Sequence, residues 1–516
     1  MLTLLLLWLG FLGAAVVTGA SLAVRVEETD EPFCYAAVIG LLVLPAPLLV
    51  ISLLGPLAWW HFAAVWLLIP AGLWAWRRPS LPRPGWWSLG VMLAANAWSS
   101  SGPVMLYDTG LYHYPLLQWL DEIGTVPNQA LLHHRFGFSS AWIATPAALD
   151  EGWLDGRTAA ILNGLLMALA MYHFAVVLSR WLRGPARPRD GYFVAAYLLC
   201  FLFGGLTQRF EVSLSPNWPV ALAAVLASAA PASVALLLAG GAAGIKLSAL
   251  PLVALWAIPV LWRERAVGTC LVAAALLLPP IAANLVATGC PLYPSAVACL
   301  DADARSYAKP VQMETSNWAR WERGEMSNAS LLRMDWVRGW VGRHWNPHLF
   351  LLTIASLLVA AWRRQWDYGA WCAFAGLLYV FAAAPDFRFG LGYLAALCGY
   401  ALARTSLNLG WKGISAFGLA VLGALGLLAN SWSHEQAYRR IFGLKEPTFS
   451  SDRALRPNRI MHHQGQTRRE RATGFEYFTP AQSDQCWGVQ PPCTPSLVPK
   501  LRLCHPEQGL RGGLCR

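Results

Sequence analysis

Long apolar stretches, separated by short polar or basic links, recur from the N-terminus to about Asn430. A helix that crosses a bilayer needs about 20 mostly apolar residues. The pattern predicts helical spans at 2–24, 35–54, 57–76, 85–101, 157–181, 192–207, 217–231, 233–244, 249–262, 267–288, 348–362, 369–384, 390–403 and 411–431. Several are short for a full crossing and neighbouring ones can merge, so the expectation is an all-α integral membrane protein with 12–14 crossings. Met1 to Val24 has no basic leading segment and no clear small-residue cleavage site, and reads as a retained helix rather than a signal peptide.

Two regions break the apolar pattern. In the loop 102–156, Leu111 to Ile123 carries apolar residues at helical spacing, with Gln118, Asp121 and Glu122 toward the other face. That arrangement suits a helix lying in the membrane interface. Ala130 to Leu149 reads as a second such helix, or a re-entrant one. The tail from Ser433 to Arg516 is polar, rich in Pro and Arg, and lacks long periodic stretches. The expected organisation is a transmembrane body over 1–432 and a small extracytoplasmic tail over 433–516.

Composition agrees with the pattern. The chain is 56% hydrophobic and 13% charged, whereas soluble domains carry roughly 25% charged residues. The net charge of +11 does not point to nucleic acid. Arg77, Arg78 and Arg83, then Arg180, Arg183, Arg187 and Arg189, then Arg263 and Arg265, then Arg363 and Arg364, sit in short links between spans, where basic residues set orientation. Placing these links in the cytoplasm puts 108–156, 289–344, 385–389, the tail and the N-terminus outside. The tail holds 13 Lys/Arg and 7 Asp/Glu, but the positive-inside rule weakens for segments longer than about 60 residues. Many of the 27 tryptophans fall at predicted span ends (Trp59, Trp60, Trp86, Trp87, Trp262, Trp362, Trp366, Trp411, Trp432), as an interfacial belt would require.

Four of the 11 cysteines lie in the tail: Cys486, Cys493, Cys504 and Cys515. An even number in a polar, loop-rich segment suggests disulfides and an oxidising compartment. Cys486 with Cys493 is the expected pair, and Cys290 with Cys299, flanking Pro291-Leu292-Tyr293-Pro294, is a second. Zinc is the rival reading for the tail, although the Cys486/Cys493 spacing exceeds the usual two to four intervening residues of a zinc knuckle.

The polar groups that could carry chemistry fall in the predicted outer segments. Asp108, Tyr112 and His113 form one cluster, with Asp108 and Tyr112 on one face if the segment is helical. His133, His134 and Arg135 form a second, and Asp386 with Arg388 a third. Glu211 and Lys246 are isolated charges at or within apolar stretches. An acid at membrane depth is costly unless solvated, paired or used. Asp108 can be an ordinary interfacial loop acid, or the base that takes a proton from an attacking hydroxyl. Arg and Lys can stabilise a departing phosphate. Asp386 and Arg388 can equally pair with each other, Lys246 can snorkel, and adjacent histidines are poor joint metal ligands.

Several segments resemble a family of bacterial multi-spanning membrane proteins that has no established activity. They are Tyr107-Asp108-Thr109-Gly110-Leu111-Tyr112-His113, Leu132-His133-His134-Arg135-Phe136-Gly137-Phe138-Ser139-Ser140, Ile245-Lys246-Leu247-Ser248-Ala249-Leu250-Pro251, Gly289-Cys290-Pro291-Leu292-Tyr293-Pro294-Ser295, Ala384-Pro385-Asp386-Phe387-Arg388-Phe389-Gly390, and Asp484-Gln485-Cys486-Trp487 with Pro492-Cys493-Thr494-Pro495. The layout is similar to the GT-C superfamily of glycosyltransferases, which use polyprenyl-phosphate or polyprenyl-diphosphate sugar donors. The resemblance implies an inverting transferase of the outer face of a bacterial plasma membrane, passing a sugar from a lipid-linked donor to a polysaccharide, lipid or protein acceptor. It implies Asp108 as base. It implies Tyr112, His113, His133, His134, Arg135, Lys246, Asp386 and Arg388 as candidate substrate contacts, with Arg135, Lys246 and Arg388 on phosphate. A divalent metal is left open, and no metal ligand is named. The chain departs from that layout in placing four predicted spans before the acidic loop, in showing one acid where many GT-C enzymes show two, and in having a small outer tail. The alternatives are a transporter or flippase of lipid-linked saccharides, which expects paired repeats, and an envelope-glycan polymerase.

Overall fold

The computed structural model describes residues 1–321 except 24, 185–186, 188 and 203–208, and then 336–337, 339–340, 358, 367–403, 415–442, 454–460, 467–472, 475–481, 484–495, 498 and 500–516. Helices dominate. They are α1 (Leu2–Leu22), α2 (Pro32–Ile51), α3 (Trp59–Ala63, passing through a π-turn at Ala64–Leu68 into Ile69–Arg77), α4 (Trp86–Ser100), α5 (Tyr114–Glu122), α6 (Ala141–Ala147), α7 (Ile161–Arg183) and α8 (Asp190–Cys200). Then come α9 (Asn217–Ala229), α10 (Ala232–Ile245), α11 (Leu247–Glu264), α12 (Val267–Thr288), α13 (Ala302–Trp321), α14 (Tyr368–Ala383), α15 (Phe387–Leu402) and α16 (Ala416–Phe442).

Among the described residues, five helices (α1, α2, α7, α11 and α12) are long and apolar enough to cross a membrane. Six further apolar stretches, in α8, α9, α10, α14, α15 and α16, have 10–17 residues. The expected span at 348–362 lies outside the described residues apart from 358, as do Trp362, Trp366 and Trp411. The other tryptophans of the expected belt, Trp59, Trp60, Trp86, Trp87, Trp262 and Trp432, are all exposed.

The outer loop differs from its expected form. Leu111–Ile123 is not one surface helix: a π-turn at Thr109–His113 leads into α5, and α5 is buried from Tyr114 to Leu120, Gln118 included. Tertiary packing covers Gln118, while Asp121 stays half-buried and Glu122 exposed, so the expected polar face survives only at the end of α5. Ala130–Leu149 divides into 3₁₀ turns at Gln129–Leu131 and His134–Gly137 followed by the short α6. Glu211, expected as an isolated charge, is not isolated. It is fully buried, pairing with Arg209 at 2.9 Å and accepting from Ser99 Oγ at 3.2 Å. The tail, read as lacking periodic structure, contains two antiparallel pairs: β1 (Thr467–Ala472) with β2 (Phe475–Pro480), and β3 (Arg502–Leu503) with β4 (Leu514–Cys515). Disulfides join Cys290 to Cys299, Cys486 to Cys493 and Cys504 to Cys515.

The helices stack between two poles. At the basic pole, Arg25 pairs with Glu264 at 2.6 Å, Ser80 Oγ reaches Glu27, Arg180 bridges Asp30 at 2.9 Å and Asp190 at 2.7 Å, and Arg189 meets Asp367 at 2.9 Å. At the loop pole, the outer loop and the tail interlock. Thr3 Oγ1 donates to Leu455 O, Ile460 N to Gly156 O, Leu514 N to Pro127 O and Thr494 Oγ1 to Leu132 O. The tail is thus docked onto the helical body at this pole.

Candidate functional site

The site forms where the ends of several helices meet at the loop pole. After α4 the chain leaves helical geometry through Gly102-Pro103, and Asp108 stands immediately before the π-turn. Its side chain does not cap that turn. It accepts instead from Arg388 Nη1 at 3.1 Å, 280 residues away in sequence. Arg388 is fixed from the other side by Asp386, the N-cap of α15. The Asp386 carboxylate accepts from Arg388 N at 2.8 Å, satisfying a free backbone donor of the first turn. It also accepts from Arg388 Nε and Nη2, both at 3.2 Å. A guanidinium offers five N–H groups in a fixed fork, so Asp386 can hold one edge while Asp108 takes an outer one. The indole of Trp318 and the ring of Phe389 flank it at 5.5 and 5.8 Å.

Lys246 enters from the break between α10 and α11, in an extended conformation. Its Nζ donates to Asn217 Oδ1 at 2.6 Å and sits 3.6 Å from the centre of the Phe389 ring. Among the described residues no carboxylate lies within ion-pair distance of it. Arg135 lies over the ring of Tyr112 at 5.3 Å. The cluster therefore holds three cations, Arg135, Lys246 and Arg388, against two carboxylates, Asp108 and Asp386, and its formal balance is positive.

His113 is the unusual neutral member. It is buried, and among the described residues neither ring nitrogen has a hydrogen-bond partner. Burial depresses its pKa to about 4, with Asp108 opposing and Lys246, Arg135 and Arg388 adding to the effect. A buried polar group without a partner is costly, so these nitrogens are poised for a ligand at the site. Burial, and next the charge of Asp108, push the Tyr112 hydroxyl up, so it remains a donor.

A crevice too narrow to admit a water molecule lies beside the cluster, between α9 and α15. Asn217, Ser248 and Arg388 belong to its polar end, and Val220, Ala221, Ala224, Gly392 and Tyr393 line it one or two turns further along α9 and α15. Gly392 permits the close crossing of these helices: a Cβ there would fall 2.5 Å from the Ala221 carbonyl oxygen. The helices that present the polar groups are short. At about 1.5 Å per residue, α9, α10 and α15, with 13, 14 and 16 residues, reach about 20–24 Å, less than the roughly 30 Å of a hydrocarbon slab.

The structure thus brings Asp108, Tyr112, His113, Arg135, Lys246, Asp386 and Arg388 into one neighbourhood. His133 and His134 turn elsewhere. His133 packs edge-on against Phe136, and His134 approaches Glu314 at 3.7 Å. Burial lowers the pKa of both, and among the described residues neither bonds to Asp108, Arg388 or Lys246. Sequence reasoning missed Asn217, whose only signal is an amide between Pro216 and Trp218 at the head of an apolar helix. It also missed Trp318 and Ser248, and the bonds from Asp484 and Gln485 to Tyr107.

No curated protein and no solved structure matches the chain. One family matches residues 1–395, which covers α1 to most of α15 and every member of the cluster above, and stops short of the tail. The chain belongs to that family, the domain of unknown function DUF8201.

Proposed function

We propose that the protein is a membrane glycosyltransferase that moves a sugar from a polyprenyl-phosphate-type donor to a hydroxyl acceptor at the outer face of a bacterial plasma membrane. One observation carries this reading: Asp108 is held by Arg388, whose other edge is fixed by Asp386, in a cluster where, among the described residues, Lys246 has no carboxylate partner. Polar groups of this kind inside a membrane are expensive and usually functional. Short helices suit a site near a membrane surface, where a lipid headgroup would meet Lys246 and Arg388.

The arrangement supports a displacement. The donor phosphate engages Lys246 and the outer edge of Arg388, and competes with Asp108 for that edge. Asp386 keeps the guanidinium in place. Released, Asp108 accepts the proton of the acceptor hydroxyl as its oxygen attacks the anomeric carbon. The bond from that carbon to the phosphate oxygen breaks, and the phosphate departs with its charge on Arg388 and Lys246. A single displacement inverts the anomeric centre. His113, neutral, supplies hydrogen bonds to the sugar or the acceptor.

The test is a transfer assay with the full chain in lipid nanodiscs, polyprenyl-phosphate sugars and an envelope-glycan acceptor. Asp108→Asn is expected to abolish transfer while the protein inserts and folds as before. Transfer at the wild-type rate by Asp108→Asn would remove Asp108 from the chemistry and overturn the proposal.

A further inference from the structure

We infer that the Cys486–Cys493 loop of the tail is a working part of this site, with Trp487 the positioning residue that holds the Asp108 turn in place. Asp108 sits at the start of the turn, in the helical pair Tyr107-Asp108 that joins the non-helical link 103–106 to the π-turn. The tail contacts both sides of it. Gln485 Nε2 donates to Tyr107 O at 2.8 Å, the Tyr107 hydroxyl bonds to the Asp484 carboxylate, and Trp487 N donates to Gly110 O at 2.9 Å. The indole of Trp487 is buried on Gly110, where an added Cβ would lie 2.2 Å from the ring. Only glycine allows that seat.

The loop is itself anchored. The Cys486–Cys493 disulfide closes it, Thr494 N donates to Phe478 O at 3.0 Å, and Thr494 Oγ1 donates to Leu132 O at 2.9 Å. Residues 484–494 therefore tie the acid-bearing turn to the rest of the outer loop. None of these tail residues lies in the family match, which ends at 395. The site is in two parts: a family body that supplies the charged groups, and a tail that fixes the position of one of them. A misplacement of about 1 Å at a reacting group can cost on the order of 10²-fold in rate, so a clamp on this turn controls turnover more than lipid binding. The proposal rests on the transferase reading for its rate readout only.

The experiment compares the full chain with W487A, W487F and the C486S/C493S double variant in nanodiscs. Hydrogen exchange is followed over 105–114, with polyprenyl phosphate as binding probe. W487A and C486S/C493S are expected to speed exchange at 107–113 by about tenfold, with the helices of the body unchanged. W487F, which keeps a ring on Gly110, recovers most of the protection. Affinity for polyprenyl phosphate does not fall, because Arg388 and Lys246 stand on other elements, and it rises by no more than the severalfold expected of Asp108→Asn. The rate of transfer falls by at least about tenfold without a matching rise in donor KM. Unchanged exchange over 107–113 in W487A, or a rise spread evenly over all helices, overturns the clamp. A wild-type chain that transfers no sugar overturns the transferase reading instead, and the exchange data still decide this one.

Discussion

The two poles of the molecule both contain buried charge, and they treat it differently. At the basic pole every charged group of the central cluster is matched. His173 bonds Asp30 Oδ2 at 2.8 Å and the Tyr197 hydroxyl at 2.7 Å, Arg180 bridges Asp30 and Asp190, and Asp190 Oδ2 also accepts from Arg187 N. At the loop pole, among the described residues, the cations outnumber the carboxylates, His113 has two bare nitrogens, and Lys246 relies on an amide and a ring. A fully satisfied buried network rigidifies, whereas a partly satisfied one is costly unless something completes it. The basic pole is therefore read as structural and the loop pole as the place that takes a ligand. The rule is general: an ionisable group at membrane depth points to function through what it lacks, not through its presence alone.

The largest predicted effect separates the poles by activity. Asp108→Asn should lower transfer by about 10³-fold, within the usual worth of a general base, with thermal stability nearly unchanged. Asp30→Asn should do the reverse. It leaves Arg180 and His173 with a weakened partner, and should cost about 3 kcal/mol in thermal or denaturant unfolding. Polyprenyl-phosphate binding by the surviving folded protein should stay at the wild-type level. A loss of transfer in folded Asp30→Asn equal to that of Asp108→Asn would erase the distinction.

Acid should also strike the poles unequally. His113 has a folded-state pKa of about 4, below the unfolded value of about 6.5. The folded state thus binds fewer protons, and the stability this group contributes is present above pH 6.5 and is lost as pH falls through 4. Protection from hydrogen exchange around 109–122, taken relative to the intrinsic amide rate at each pH, should fall between pH 6.5 and 4, and His113→Gln should flatten that dependence. Equal acid sensitivity in His113→Gln would contradict the account. The smallest effect is expected at an exposed pair. Arg25 is largely exposed but also bonds the mostly buried Glu264, so Arg25→Ala should cost no more than about 1 kcal/mol in thermal unfolding. A larger loss would show that the stability of this pole resides at its rim.

The sequence was informative where local rules decide. Apolar runs marked α1, α2, α7 and α12 because length and hydropathy alone define such helices. The short Cys spacings marked Cys290 with Cys299 and Cys486 with Cys493 because nearby thiols close small loops. The long-range pairing of Asp108 with Arg388 could be framed as a question but not read, since nothing local links two residues 280 positions apart. The loop 102–156 was misread because helical spacing in Leu111–Ile123 reveals neither the π-turn at Thr109–His113 nor the packing that covers Gln118. Asn217 and Trp487 were legible only as residue types. Their roles come from the break at Lys246 and from the docking of the tail on Gly110.

The central claim is that Asp108 and an anionic headgroup compete for one edge of Arg388. It is tested most directly by equilibrium binding of polyprenyl phosphate to the wild-type chain and to Asp108→Asn, in nanodiscs of neutral lipid. With the carboxylate charge removed, the guanidinium edge is freed, and the account predicts that Asp108→Asn binds the lipid phosphate severalfold more tightly, by about 1 kcal/mol. Weaker binding by Asp108→Asn than by the wild type, in a protein that is otherwise folded, would contradict it.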